Sequence, residues 1–368
     1  MRIPHFDLKP AAEEIAPELL ERWSDLLART AFVGGGEVES FEKAFAEYLD
    51  SPACVGVANG TDALVLALHA LGLQRGDEVL VPSFTFFATA EAVVWAGGVP
   101  VPVDIEPDTF NIDVADAEAR ATSRTVGMIP VHLYGQPCDL DAALALCKRR
   151  GWWLIEDAAQ AHGATWRERR VGTFGDLAAW SFYPSKNLGC FGDGGAVTGA
   201  DEEALARVRT LANHGRVEHY RHGVVGTNSR LDALQAAVLN LRLEHLNRDN
   251  ALRAILVMNY AERIARVGDL RFPTAPEEAG RVWHQLTVRT AARDALRQHL
   301  LDRGIGTATF YPIPLHQQPA LLPMMPAGLS LPAAEAAARE VLCLPLYPQL
   351  EESQVDEVCQ AVRAFYGH

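Results

Sequence analysis

No apolar run in this chain approaches the roughly 18 residues that a membrane-spanning helix needs, so a helical membrane protein is excluded. The opening residues, Met1-Arg2-Ile3-Pro4-His5-Phe6-Asp7, lack the apolar core of a secretory signal, and a cytoplasmic protein is expected. The six cysteines, Cys54, Cys138, Cys147, Cys190, Cys343 and Cys359, include no C-x-x-C pair. Neither a zinc site nor a disulfide framework is expected from them. Positive charge is scarce as well: 33 Lys and Arg against 47 Asp and Glu leave a net charge of −14. Nucleic acids and anionic membranes demand a basic face and are poor candidates for partners. Nor does a strand lead into a G-x-G-x-x-G turn, because Gly34-Gly35-Gly36 follows a helical stretch, so a nicotinamide-dependent dehydrogenase is disfavoured.

With 368 residues, 49% of them hydrophobic, the chain can bury a large core and has room for two domains. Helical patterns run from Ile15 to about Arg29 and from Glu37 to Leu49, and then strands and helices alternate. Strands are expected at Cys54–Val57, Val79–Val81, Val99–Val103 and Val126–Val131, and helices at Thr61–Leu71, Phe86–Trp95 and Leu140–Arg150. Further strand-like runs start at Trp152, Leu177 and Ala196. This alternation means βαβ units and a mostly parallel sheet. The large cofactor-binding α/β domain is placed at residues 1–245. A long helix from about Leu231 toward Arg266 crosses into a smaller α+β domain, residues 246–368, with a strand at Trp283–Val288 and helices at Ala292–Arg303, Ala333–Val341 and Glu351–Tyr366.

The chemistry gathers between Trp152 and Thr198. Trp152-Trp153-Leu154-Ile155 closes on Glu156-Asp157, a buried strand delivering carboxylates at its carboxyl end, where open α/β sheets bind ligands. The run Leu177–Phe182 delivers Ser181, Tyr183, Ser185 and Lys186 ahead of the glycine-rich Gly189-Cys190-Phe191-Gly192-Asp193-Gly194-Gly195. A desolvated lysine is a nucleophile toward carbonyls. For an arbitrary lysine the solvated surface reading is far commoner, and it is the company that changes the balance. A pyridoxal phosphate site needs a lysine, a carboxylate for the pyridine nitrogen, an aromatic face and phosphate donors. Lys186, Asp157, Phe86 and the strand-to-helix junction Gly60-Thr61, with Ser181, supply one candidate each. Taken singly, Gly60-Thr61 reads equally well as a helix cap, Phe86 as core and Asp157 as a structural ion pair.

The segments AFVGGGEVESFEKAFAEYL, ANGTDAL, PSFTFFATAEAV, IEDAAQAHGA, SFYPSKNLGCFGDGGA, GTNSRLDALQAAVL and YPIPLHQQPA resemble the successive signatures of the DegT/DnrJ/EryC1/StrS family of pyridoxal-phosphate-dependent sugar aminotransferases. The resemblance spans nearly the whole chain and is most specific between Asp157 and Lys186. It implies the fold-type-I aminotransferase architecture, a seven-stranded, mainly parallel sheet with a small C-terminal domain, working as a homodimer with shared active sites. It makes Lys186 the Schiff-base lysine, Asp157 the pyridine-nitrogen partner and Gln160 a group near the cofactor's ring hydroxyl. Gly60, Thr61 and Ser181 would hold the phosphate, together with Asn228 from the other subunit. Some relatives carry His in place of the lysine and act as dehydratases; Lys186 favours transamination.

The resemblance further implies L-glutamate as amino donor and a keto group on a nucleotide-linked sugar as acceptor. The EDAAQAHGA form, with Gln160, looks like members that aminate C3, which fits a 3-keto-hexose on dTDP or UDP. A C4-keto nucleotide sugar or a cyclitol ketone is the alternative. Asn213–His222 is a basic cluster in an acidic protein, and His214, Tyr220 and Arg230 are candidates to meet the nucleotide diphosphate. A solvated basic loop is an even alternative for any one of them. Tyr311 and His316 are expected near the sugar, while Phe310 stands where many relatives carry His. A non-catalytic regulator that binds the cofactor is the competing class, and no helix-turn-helix or basic arm supports it.

Overall fold

The computed structural model describes residues 1–367. Seven strands form the central sheet: β1 Val55–Val57, β2 Glu78–Pro82, β3 Val99–Val103, β4 Thr125–Met128, β5 Trp153–Asp157, β6 Leu177–Ser181 and β7 Gly195–Thr198. Their spatial order is β1-β7-β6-β5-β4-β2-β3. All run parallel except β7, which is antiparallel to both β1 and β6. The carboxyl ends of β5 and β6 therefore lie side by side, Asp157 in register with Ala179 two residues before the end of β6. The strands read as near-continuous apolar runs because helices cover the sheet.

Those helices are α1 Lys9–Arg29, α2 Gly36–Leu49, α3 Gly60–Ala70, α4 Ala88–Trp95, α5 Val114–Arg120, α6 Leu140–Arg150 and α7 Glu202–Ala212. Neither α5 nor α7 is anticipated from the sequence. Each starts at a capping aspartate, Asp113 accepting from Ala115 and Asp116 N–H, Asp201 from Ala204 N–H. Their buried faces are thin, Ala117 alone in α5 and two alanines beside Leu205 and Val208 in α7, so no strong apolar period marks them. Helix α1 begins six residues before the expected Ile15, because Pro10 suits the first turn of a helix.

Helix α8, Ala233–Ile264, is continuous, and the expected division at residues 245 and 246 falls inside it. Beyond it, β8 Leu286–Arg289 pairs antiparallel with β9 Val341–Leu344, flanked by α9 Arg293–Leu301, α10 Pro332–Glu340 and α11 Glu352–Tyr366. The run Val341-Leu342-Cys343-Leu344, whose first residue was expected in a helix, is extended because it pairs with β8, Leu342 and Leu344 completing the C-terminal core and Val341 packing toward Phe84, Phe110 and Tyr134 on the other side. Ile3 bridges Ile305 and packs into that same core, so the first residues belong with the C-terminal unit. The cluster Asn213–His222, read as a loop, contains a short hairpin, Arg216–Glu218 against Arg221–His222.

Behind the end of β6 lies an aromatic cluster. Phe45 meets Trp180 and Phe182 edge-on at 5.2 and 5.5 Å between ring centres, and Phe41 meets Phe182 at 5.2 Å. All four side chains are fully buried. All six cysteines are buried and free, and among the described residues no helix is long and apolar enough to cross a membrane. We expect Phe45→Ala to destabilise the protein by about 3–5 kcal/mol, read as a lower denaturant midpoint with an unchanged slope.

Candidate active site

Strand β5 ends at Asp157, whose backbone still pairs, N–H to Pro130 O at 2.9 Å and C=O from His132 N–H at 3.0 Å. That pairing holds the side chain over the sheet end. The carboxylate accepts from the Thr89 hydroxyl at 2.9 Å and from Ala159 N–H at 3.2 Å. Burial pushes its pKa up, against the opposing pull of Thr89, Ala159 N–H and the Lys186 and His132 charges. It is an acid that lacks a full counter-charge.

Its neighbour Glu156 points to the other face, as successive strand residues do. Glu156 accepts from Gly172, Phe174 and Gly175 N–H at 2.7, 2.8 and 2.9 Å and lies 3.0 Å from His132 Nε2. Burial works against this carboxylate too, but His132 and the amides outweigh it and hold its pKa below the usual range. Glu156 is spent on bracing the 172–175 loop.

After β6, the Lys186 N–H closes a tight turn onto Tyr183 O at 2.8 Å. The Lys186 amine has no hydrogen bond or ion pair among the described residues. Burial lowers its pKa to about 8, opposed by the Asp157 charge. Part of the side chain borders open space, so it is enclosed by protein yet reachable from the cleft.

The amino end of α3 meets the end of β6 closely. A Cβ on Gly60 would sit 2.7 Å from Ser181 Cβ, and one on Gly195 would sit 2.4 Å from Asn59 O. Only glycine permits this approach, which sets the first N–H groups of α3, capped by Asn59 on Asp62 N–H at 2.8 Å, beside the Ser181 hydroxyl. Ser181 Oγ makes a single long contact, 3.4 Å from Tyr183 N–H. A hydroxyl and helix N–H groups facing one point form an anion cradle.

Phe86 is 56% exposed, its ring 5.9 Å from that of Tyr311. Gln160 is held at both ends: Oε1 accepts from Tyr134 N–H at 2.7 Å, and Nε2 donates to the Tyr311 hydroxyl at 3.2 Å. His316 is buried, with Nδ1 2.6 Å from Ser83 Oγ and Nε2 3.2 Å from Glu335 Oε1. Both of its ring nitrogens thus serve to pin the 311–318 loop to the end of β2.

The residues expected to meet the nucleotide lie elsewhere on the chain. Tyr220 at the hairpin turn and His214 just before the hairpin both adopt left-handed backbone, and Tyr220 is 87% exposed. Arg230 and Asn228 are exposed, and Asn228 forms a backbone bridge with Asn213. A cavity of about 720 Å³ under the hairpin is lined by Arg209, Asn213, Arg216 and His219, and none of Asp157, Ser181 or Lys186 borders it. One chain therefore gathers Asp157, Gly60, Thr61, Ser181, Lys186, Phe86, Gln160 and Tyr311 at the strand ends and leaves His214, Tyr220, Asn228 and Arg230 on a separate, open surface. Thr89 was missed by sequence reasoning, although its place in the first turn of α4 within SFTFFATAEA was the available signal.

The donor set fits pyridoxal phosphate on the structure's own terms: a desolvated, cleft-facing amine unpartnered among the described residues, a buried acid short of a cation, and a cradle that a Cβ would fill. Known proteins agree. The model of the DegT/DnrJ/EryC1/StrS aminotransferase family matches residues 13–363. A dTDP-3-amino-3,4,6-trideoxy-alpha-D-glucose transaminase of Streptomyces venezuelae is 47% identical over 98% of this chain and 96% of its own. A UDP-N-acetyl-3-dehydro-alpha-D-glucosamine 3-aminotransferase of Acidithiobacillus ferrooxidans is 42% identical over 98% and 97%. The crystal structure of S. venezuelae DesV in complex with a ketimine intermediate superposes with a TM-score of 0.97 at 46% identity, covering 100% of this chain and 99% of that one. Bacillus subtilis NtdA with bound PMP does so at 0.91 and 33% identity, covering 96% and 82%.

The lowered pKa of Lys186 gives a signed expectation for the cofactor-free protein. Its ammonium is disfavoured in the folded state, and that cost is fully present below pH about 8 and lost as pH rises to the ordinary lysine value of 10.5. Lys186→Met should therefore be more stable than wild type at pH 7, and denaturant unfolding should show the gap narrowing between pH 8 and 10.5.

Proposed function

Because the chain belongs to the DegT/DnrJ/EryC1/StrS aminotransferase family, we propose that it transfers an amino group from L-glutamate to the C3 ketone of a hexose carried on dTDP or UDP. The reaction class rests on one observation above all, the unpartnered Lys186 amine set beside the Asp157 carboxylate at adjoining strand ends. The choice of C3 is supported by the two relatives' names, both of which specify position 3 of the sugar.

The cofactor is pyridoxal phosphate, which when bound supplies an aldehyde to carry the amino group and a ring that withdraws electrons from the carbon losing its proton. Asp157, oriented by Thr89 and Ala159 N–H, would pair with the protonated ring nitrogen and so gain the cation its burial calls for. Gly60, Thr61 and Ser181 hold the phosphate. Phe86 would lie against one face of the ring, and Gln160, whose other amide hydrogen is held by Tyr311, would face the ring hydroxyl. Lys186 would hold the cofactor through its aldehyde, and once freed its Nζ would carry a proton from the donor carbon to the cofactor carbon that takes the amino group, and in the second half from that carbon to the acceptor carbon. A pKa near 8 suits that work near neutral pH.

His214, Tyr220 and Arg230 meet the nucleotide diphosphate across the boundary with a second copy of the chain, and Asn228 reaches the phosphate held by that copy. In support, Val225 is 97% exposed and Val217 and Val224 more than half exposed on the same hairpin, an apolar surface that a partner subunit would cover. Tyr311 lines the sugar side of the cleft, and His316 acts by fixing its loop.

Borohydride reduction of the purified protein should leave a pyridoxyl adduct at Lys186, and Lys186→Ala should lower kcat by about 10²–10⁴. With glutamate and a panel of keto substrates, 2-oxoglutarate release should be fastest with 3-keto nucleotide sugars; preference for a 4-keto sugar or a cyclitol ketone would replace the acceptor. If Asn228 serves the partner's site, mixing inactive Lys186→Ala and Asn228→Ala subunits should restore roughly a quarter of wild-type activity, the share of intact sites in a random mixture of dimers. Zero recovery on exchange of subunits would remove the shared site.

A further inference from the structure

The residue that follows Lys186 is held from both sides. Asn187 is buried, and its Nδ2 donates to Asn250 Oδ1 at 2.8 Å while its Oδ1 lies 3.1 Å from His284 Nδ1. Asn250 passes the chain on, its Nδ2 donating to the His162 carbonyl at 2.9 Å. Asn250 belongs to α8, His284 to the segment entering β8, and His162 to the loop that leaves Asp157. The lysine turn, the long helix, the acid's loop and the C-terminal unit are thus joined through two carboxamides, Asn187 and Asn250.

The polarity of this relay follows from its donors. With Asn187 Nδ2 committed to Asn250, Oδ1 faces His284, so the imidazole carries its hydrogen on Nδ1 and donates. Burial keeps that ring neutral, well below its ordinary pKa, with Lys186, Arg253, His162 and His5 adding repulsion. His162 is brought to about 3, first by burial and then by Lys186. Around the lysine amine the titratable groups are therefore two uncharged rings and the Asp157 carboxylate, with Arg253 further along the relay. One end of the lysine turn is tied by the Lys186 N–H to Tyr183 O bond, and the other by Asn187. Between two fixed points the direction of the lysine side chain is set.

We propose that Asn187 is the positioning residue for Lys186: clamped between Asn250 and His284, it aims the lysine into the cleft and ties that aim to the seating of the C-terminal unit. The inference rests on Lys186 as the lysine that engages the cofactor. Asn187 acts through Lys186 and not on the reacting atoms.

The test reads the lysine itself, in full-length protein stripped of cofactor. Competitive acetylation with acetic anhydride across pH, quantified on the Lys186 peptide by mass spectrometry, should give a midpoint of about 8 in wild type. In Asn187→Ala the released side chain turns toward water, and the midpoint should rise by about one pH unit, a tenfold fall in neutral amine at lower pH. Asn250→Ala, which leaves the lysine turn intact in sequence, should shift it the same way, and the double variant should move no further than the larger single one, as members of one unit do. An unmoved midpoint in folded Asn187→Ala or Asn250→Ala overturns the proposal even if thermal stability drops, and so do fully additive shifts. If Asn187→Ala does not fold, Asn250→Ala alone decides. A borohydride adduct at Lys186 with an unmoved midpoint rejects this inference only; an adduct at another lysine rejects the reading beneath it.

Discussion

A desolvated but cleft-facing amine with no partner among the described residues is the constraint on which this structure turns. Burial disfavours the Lys186 ammonium, and the one charge that opposes the effect, Asp157, is itself desolvated and raised. Two half-compensated groups at neighbouring strand ends are unstable company unless something placed between them supplies both an electrophile for the amine and a cation for the acid. Much of the surrounding fold serves to keep them there. The reversed strand β7 returns the chain beside β6, Gly60 and Gly195 let α3 close onto it, and the Phe41, Phe45, Trp180 and Phe182 cluster stiffens the sheet behind the lysine.

The parts of this arrangement that could be read from the sequence are those in which local pattern and chemistry coincide. Asp157 and Lys186 each end an apolar run short enough to be a buried strand, and βαβ alternation places such ends on one edge of a parallel sheet. Gly60-Thr61 was legible because a strand-to-helix junction exposes amide donors. What escaped is set by closure in three dimensions. Thr89 reaches Asp157 from 68 residues away, and Asn187 meets Asn250 across 63. No spacing rule encodes either contact. His316 shows the converse: a histidine in a proline-rich loop invites a substrate role, yet Ser83 and Glu335 occupy both its nitrogens. The short helices α5 and α7 were lost for a simpler reason, since alanine-rich faces leave little periodic signal beyond their capping aspartates.

The separation of the two polar surfaces is informative in the same way. The lysine cleft is furnished by strand ends, whereas Tyr220 on the hairpin and His214, Asn228 and Arg230 beside it are exposed, with Val217, Val224 and Val225 standing in water among them. Exposed aliphatic side chains interleaved with basic ones are poorly explained as a solvated loop, because the valines gain nothing there. We propose that a partner surface buries the apolar residues and brings the basic ones to an anion.

Glu156 and Asp157 show how finely position decides chemistry. They are adjacent carboxylates on one strand, both buried, yet strand alternation sends them to opposite faces. Glu156 finds three backbone amides and a histidine, and its pKa falls. Asp157 finds one hydroxyl and one amide, and its pKa rises. The first is satisfied by the protein and can only be structural. The second retains an unmet demand for positive charge, and that demand, directed into the cleft that holds Lys186, is what makes it fit to bind a cationic ring nitrogen. A sequence shows two acids side by side; the count of donors around each decides which of them is left for chemistry.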